Sequence, residues 1–261
     1  MRTMMHSQMK TAVRRALLLV AFGLGIGGTQ ARADGPPAAP VVDKAAAFTW
    51  SGFYVGAFTG WARLEVDRDY PVDEHYVIAG SSFKQEATGW ITGGHIGFNH
   101  QFGHLVAGAE LSVARADLES TGIFQGYPTD PPVLLTVKMD TLVTATARLG
   151  VARGPILIYA KGGYAGAEMA TRSWDPAPHW SDVSHWTGGW TLGTGFELAL
   201  HRNVTWGVEY SYVDLDVDTH NGPVNFSNTG GARPAPPRYQ NVVIDPDLQI
   251  VTTRLNFKFG P

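Results

Sequence analysis

The chain has 261 residues, no cysteine, 31 glycines and a charged fraction of 16%. It therefore has no disulfide scaffold, cysteine-ligated zinc site or thiol nucleophile, and a mean hydropathy of -0.07 excludes a bundle of transmembrane helices. Residues 1–33 hold five bases and no acid, so the remainder, with 15 bases against 23 acids, is acidic and a poor match for nucleic acid.

In chain order, Lys10, Arg14 and Arg15 precede an apolar stretch from Ala16 to Gly28. Ala31-Arg32-Ala33 follows as a small-x-small cleavage site. Residues 1–33 are expected to be a secretory signal. Residues 34–48, with Pro36, Pro37 and Pro40, are expected to be an exported linker. Residues 49–261 are expected to fold as one β-barrel.

From Trp50 onward the hydrophobic period is two, the signature of strands with unlike faces. Phe53, Val55, Ala57, Thr59 and Trp61 oppose Tyr54, Gly56, Phe58, Gly60 and Ala62. The same alternation predicts eight strands, near 52–64, 88–101, 104–116, 139–152, 156–167, 187–200, 204–216 and 248–259. Links near 102–103, 153–155 and 201–203 are short, and those near 65–87, 117–138, 168–186 and 217–247 are long. Strict short–long alternation puts every second turn at the same end, the pattern of an antiparallel transmembrane β-barrel with short periplasmic turns and four long extracellular loops.

One face of each strand is apolar with aromatic ends, which suits lipid. Trp61, Trp90, Trp190, Trp206, Tyr210, Tyr212, Phe257 and Phe259 are the expected lipid-interface aromatics. The other face mixes glycine with single charges: Glu110, Arg148, Lys161, Glu197, Glu209, Arg254 and Lys258. Eight strands enclose a lumen that side chains fill, so these seven are expected to form an interior ion-pair core, since an unpaired charge there is costly. A narrow ion path is the alternative reading of the same residues. Asp214, Asp216 and Asp218 share a face that continues Tyr210 and Tyr212. They could carry a divalent bridge to lipopolysaccharide phosphates. His100, His104 and His201 fall at the predicted periplasmic turns and no nucleophile spacing is present, so no enzyme is expected.

Several strand motifs are familiar together: Trp50-Ser51-Gly52-Phe53-Tyr54-Val55-Gly56, Gly93-Gly94-His95-Ile96-Gly97-Phe98-Asn99, Trp206-Gly207-Val208-Glu209-Tyr210 and Arg254-Leu255-Asn256-Phe257-Lys258-Phe259. Over residues 50–261 the chain resembles the small outer-membrane barrels of alphaproteobacteria, the OmpA/OmpX-like surface antigens that include haemin-binding members. That resemblance implies an outer-membrane location, a structural and surface-interaction role, and outer-membrane lipid, lipopolysaccharide and the barrel-assembly machinery as partners. It also sharpens one ligand expectation. Trp174, His179, Trp180, His185 and Trp186 crowd the third long link and supply the aromatic faces and imidazoles that haem requires.

Overall fold

The computed structural model describes residues 48–70, 79–124, 133–174, 179–216, 218–226 and 238–259. The signal and nearly all of the linker, residues 1–47, lie outside these residues. Alternation of β-branched and aromatic residues with glycine and polar residues produces strands along almost the whole described chain. They are β1 (Gly52–Asp69), β2 (Ser82–Phe102), β3 (Leu105–Phe124), β4 (Val133–Arg153), β5 (Ile156–Trp174), β6 (His179–His201), β7 (Val204–Leu215), β8 (Asp218–Phe226) and β9 (Arg238–Phe259).

Each strand pairs antiparallel with its neighbour, and β1 pairs with β9 to close the ring. β7 lies along one end of β9, from Val204↔Phe257 to Asp214↔Asp247, and β8 continues along the other, from Asp218↔Ile244 to Val224↔Arg238. The two strands together make one stave, so the barrel has eight. Closure means that each stave is paired on both sides along at least part of its length, so the barrel has no edge stave. The turns at one end are tight: Gly103 and Gly154 take φ of +63° and +60°, a left-handed conformation that glycine reaches without a Cβ clash.

The strands run longer than the sequence pattern indicates. The link expected at 168–186 is mostly strand, with Trp174 and Trp180 as Cα partners and only residues 175–178 between β5 and β6. The reason is an exchange of polarity along each stave. On β1, outward Phe53, Val55 and Trp61 are exposed beside inward Tyr54; from Arg63 upward the outward residues are Arg63, Glu65, Asp67 and Asp69, and the inward ones are Ala62, Leu64 and Val66. Period two persists, but its sense is reversed. A β-bulge between Met139 and Thr141 on β4 keeps the inside face continuous, odd-numbered above and even-numbered below.

The lumen is therefore layered. At the tight-turn end, Trp50 is 2% exposed, packs with Phe48, Val106, Ala152 and Leu157, and donates from Nε1 to the Gly154 carbonyl at 3.3 Å. Above it lies a polar layer. At the far end a cluster containing Leu64, Val66, Leu118, Met139, Met169, Leu215 and Leu248 fills the barrel as a soluble protein's core would.

Candidate functional site

The polar layer holds six of the seven charges expected inside. Arg148, on β4, donates from Nη2 to Glu197 Oε1 at 2.8 Å and from Nη1 to the Tyr54 hydroxyl at 3.0 Å, and Tyr54 in turn donates to Glu110 Oε2 at 2.8 Å. Lys161 Nζ lies 3.1 Å from Glu110 Oε1 and 2.7 Å from Glu209 Oε1. Arg254 bridges Glu110 through Nη2 and Glu209 through Nη1, the latter at 2.5 Å. The Arg148 guanidinium also lies 3.8 Å from the centre of the Tyr159 ring, a cation–π contact. Three acids thus meet three bases in a buried, charge-balanced network.

Lys258 stands apart, which corrects its expected place in this core. Its side chain is buried, but Nζ reaches the carbonyls of Thr49 and Ser51 and lies 4.9 Å from the Phe48 ring centre, at the tight-turn mouth. Inward position on a strand does not settle depth, and Lys258 is two residues nearer the strand end than Asn256.

Several members of the network were not read from the sequence. Asn256 donates to Glu197 Oε2 at 3.2 Å and its Oδ1 lies 2.6 Å from His95 Nε2, while Thr205 donates to the same carboxylate oxygen at 3.3 Å. Tyr54 and Tyr159 lie across Gly97 and Gly195, where a Cβ would overlap the rings. Tyrosine facing glycine on the neighbouring strand was the available signal. A cavity of about 40 Å³ separates the network from the apolar layer, lined by residues including Phe58, His95, Lys161, Glu209 and Arg254.

On the outer wall, Trp61, Trp90, Trp190, Trp206, Tyr210, Phe257 and Phe259 are exposed. Tyr212 departs from that set: it is 8% exposed, its ring 5.7 Å from that of Trp190. Above these aromatics the outer face is charged and rich in acids, with Arg63 and Lys84 among them 3.2 and 3.3 Å from Glu65. Asp247 has Asp214 and Glu65 as its Cα partners on the two flanking strands, and Asp245 pairs Asp67. Burial, together with Glu65, Asp214 and Asp245, pushes the Asp247 carboxyl up to about 7 despite Lys84 nearby. Asp216 is exposed and donates its N–H to the Gly188 carbonyl at 2.7 Å. Asp218 begins β8, and its side chain lies outside the described residues.

The haem expectation is divided by the strand. His185 faces inward opposite Met169, whereas Trp186 faces outward, 52% exposed, and donates to the Tyr164 hydroxyl at 3.3 Å. These two residues do not face one ligand. The side chains of Trp174, His179 and Trp180 lie outside the described residues.

Residues 37–230 match the family model of the outer membrane protein beta-barrel domain. The chain belongs to that outer-membrane β-barrel family. It is similar to the 31 kDa outer-membrane immunogenic protein of Brucella melitensis, 30% identical over 69% of this chain and 77% of the relative. It is also similar to the 22 kDa outer membrane protein of Rhizobium leguminosarum, 29% identical over 67% of this chain and 70% of that one. Among solved structures, OprG of Pseudomonas aeruginosa shares the fold with a TM-score of 0.50 at 16% identity, over 81% of this chain and 97% of that chain. The outer-membrane barrel of this chain therefore places its exposed apolar and aromatic belt in the bilayer and its acidic upper wall outside it.

Proposed function

We propose that this barrel is a structural and surface-interaction protein of the outer membrane, holding the envelope through contact with lipopolysaccharide and presenting its extracellular end for recognition. The observation that carries this reading is the acidic upper wall. Glu65, Asp247 and Asp214 form a row across three strands directly above the aromatic belt. Like charges opposite one another on a sheet are destabilising, and a wall just outside the bilayer belt would face lipopolysaccharide phosphates. Divalent cations shared between the two sets of anions would relieve both, with Asp214 and Asp216 on β7 as protein ligands. The filled lumen favours work on the outer wall over transport. Exposed Phe257 and Phe259 on the closing strand support assembly by the barrel-assembly machinery.

An Asp214→Asn/Asp216→Asn barrel is expected to retain less lipopolysaccharide in magnesium than wild type, with the difference abolished by a chelator. A deletion strain is expected to lose resistance to detergent. Equal lipopolysaccharide retention by both barrels, with or without magnesium, rejects the cation bridge.

Haem capture at the β5–β6 tip is the second reading, favoured by the Trp174↔Trp180 pairing beside His179. A haemin titration followed at the Soret band tests it. Saturable binding lost in His179→Ala supports it, and binding equal in both proteins rejects it.

A further inference from the structure

We propose that Arg68, at the extracellular end of the lumen, is a binding site for a small oxyanion, a carboxylate or phosphate group that enters from outside the cell. Arg68 faces inward on β1, one inward position below Tyr70, and is 2% exposed. Its cross-strand Cα partners are Phe83 on β2 and Ile244 on β9. Six charges of the deeper network neutralise one another, but Arg68 stands above the apolar layer of Leu64, Val66, Leu118 and Leu248, away from those carboxylates. Its side chain is hydrogen-bonded to that of Tyr70. Tyr70 is itself 3% exposed, and its backbone is fixed by hydrogen bonds with Ser81 and Gly80 at 3.1 and 2.8 Å. The guanidinium is therefore held in place.

Two of its nitrogens, Nε and Nη2, are buried and have no hydrogen-bond acceptor among the described residues. They are not an arbitrary pair. The N–H bonds of Nε and Nη2 lie parallel along one edge of the guanidinium, the fork that matches two oxygens of a carboxylate or phosphate. The hydrogen bond to Tyr70 involves neither of these nitrogens, so that edge is unused. A buried polar group without a partner is rare in folded proteins and calls for an explanation. A bidentate oxyanion supplies both missing acceptors and the missing negative charge in one contact. Beneath Arg68 the lumen is filled by the apolar layer and, at the tight-turn end, by Trp50, so an anion reaching this edge would come from the extracellular side. Gln85, on the neighbouring strand, does not take the anion's place on Arg68: its amide nitrogen donates to the Ser120 and Leu135 carbonyls at 2.7 and 3.0 Å, and its Oε1 makes no hydrogen bond among the described residues.

The test is thermal unfolding of the refolded mature barrel, followed by tryptophan fluorescence, in sodium phosphate, sodium acetate and sodium chloride of matched ionic strength. Phosphate, acetate or both are expected to raise Tm saturably above the chloride value, and which salt acts identifies the oxyanion. The shift is expected to vanish in Arg68→Met. It is expected to be much reduced in Arg68→Lys, which keeps the charge and loses the fork. Arg68→Met gives up the hydrogen bond to Tyr70 but also removes a buried charge with no counter-ion, so it is expected to stay close to wild-type stability in chloride. No saturable shift in wild type overturns the proposal, as does an equal shift in Arg68→Met. A loss of stability by Arg68→Met in chloride would instead make Arg68 a structural residue. If Arg68→Met does not refold, broadening of the phosphate phosphorus resonance by wild type but not by Arg68→Lys carries the same decision.

Discussion

Arg254→Met is expected to destabilise the barrel by about 3–5 kcal/mol, the usual cost of leaving a buried charge without its partner. Arg254 contacts Glu110 and Glu209 directly and lies 3.9 Å from Glu197, so its removal leaves three buried carboxylates facing Arg148 and Lys161. The loss is one of balance, so it is reversible by a second substitution. Arg254→Met/Glu110→Gln restores equal numbers of acids and bases and is expected to recover a large part of the lost stability. Urea titration of the barrel in liposomes, followed by tryptophan fluorescence, measures both. A single variant as stable as wild type, or a double variant as unstable as the sum of its parts, would show that the six charges are individually hydrated and not a closed network.

The second large effect concerns adjacent residues whose substitutions have opposite outcomes. Leu64→Ala is expected to cost about 2–5 kcal/mol, the range for a buried leucine whose neighbours cannot close the space, because Leu64 is fully buried in the upper lumen. Arg63→Leu is expected to change stability by no more than about 0.5 kcal/mol, as for surface substitutions generally. Arg63 pairs with Glu86 at 2.7 Å on the exposed outer wall, and such surface pairs contribute little. Were residue 63 in the lipid core, exchanging arginine for leucine would instead stabilise by about 2–4 kcal/mol. The same packed layer leads to a third expectation, that planar-bilayer recordings of the wild-type barrel show no steady single-channel steps. Sustained, sizeable steps would mean that the apolar layer opens.

The lower half of the barrel was legible because two signals coincide there. Phe53 to Trp61 alternate in both size and polarity, and the tight turns at 102–103 and 153–155 are short enough to fix which strands are neighbours. The upper half was not legible. At Arg63 the polar residues move to the outside, so the stretch holding Glu65, Asp67 and Asp69 reads as a solvated loop although the backbone continues as strand. The network was half legible. Single charges among glycines marked Glu110, Arg148, Lys161, Glu197, Glu209 and Arg254, but depth along the axis, which separates Lys258 from them, depends on strand stagger and not on local pattern. Tyr54 and Tyr159 are inward despite being aromatic, and only the glycines opposite them carry that information. Trp50, which the motif Trp50–Gly56 presents simply as the opening of the barrel, is the floor of the lumen.

The exchange of polarity at residues 61–63 also works as a draught line. A hull settles where the weight of displaced water equals its own, and this barrel settles where each stave changes solvent preference. Moving it one rung toward the periplasm would draw Arg63 and Glu86 down into hydrocarbon. Moving it one rung outward would bring Trp61 and Trp90 into water. Each charge carried toward the bilayer centre costs up to about 2–4 kcal/mol, and eight staves add their resistance together. Immersion depth is thus written into the chain stave by stave, and a membrane of the wrong thickness would have to deform to meet the barrel.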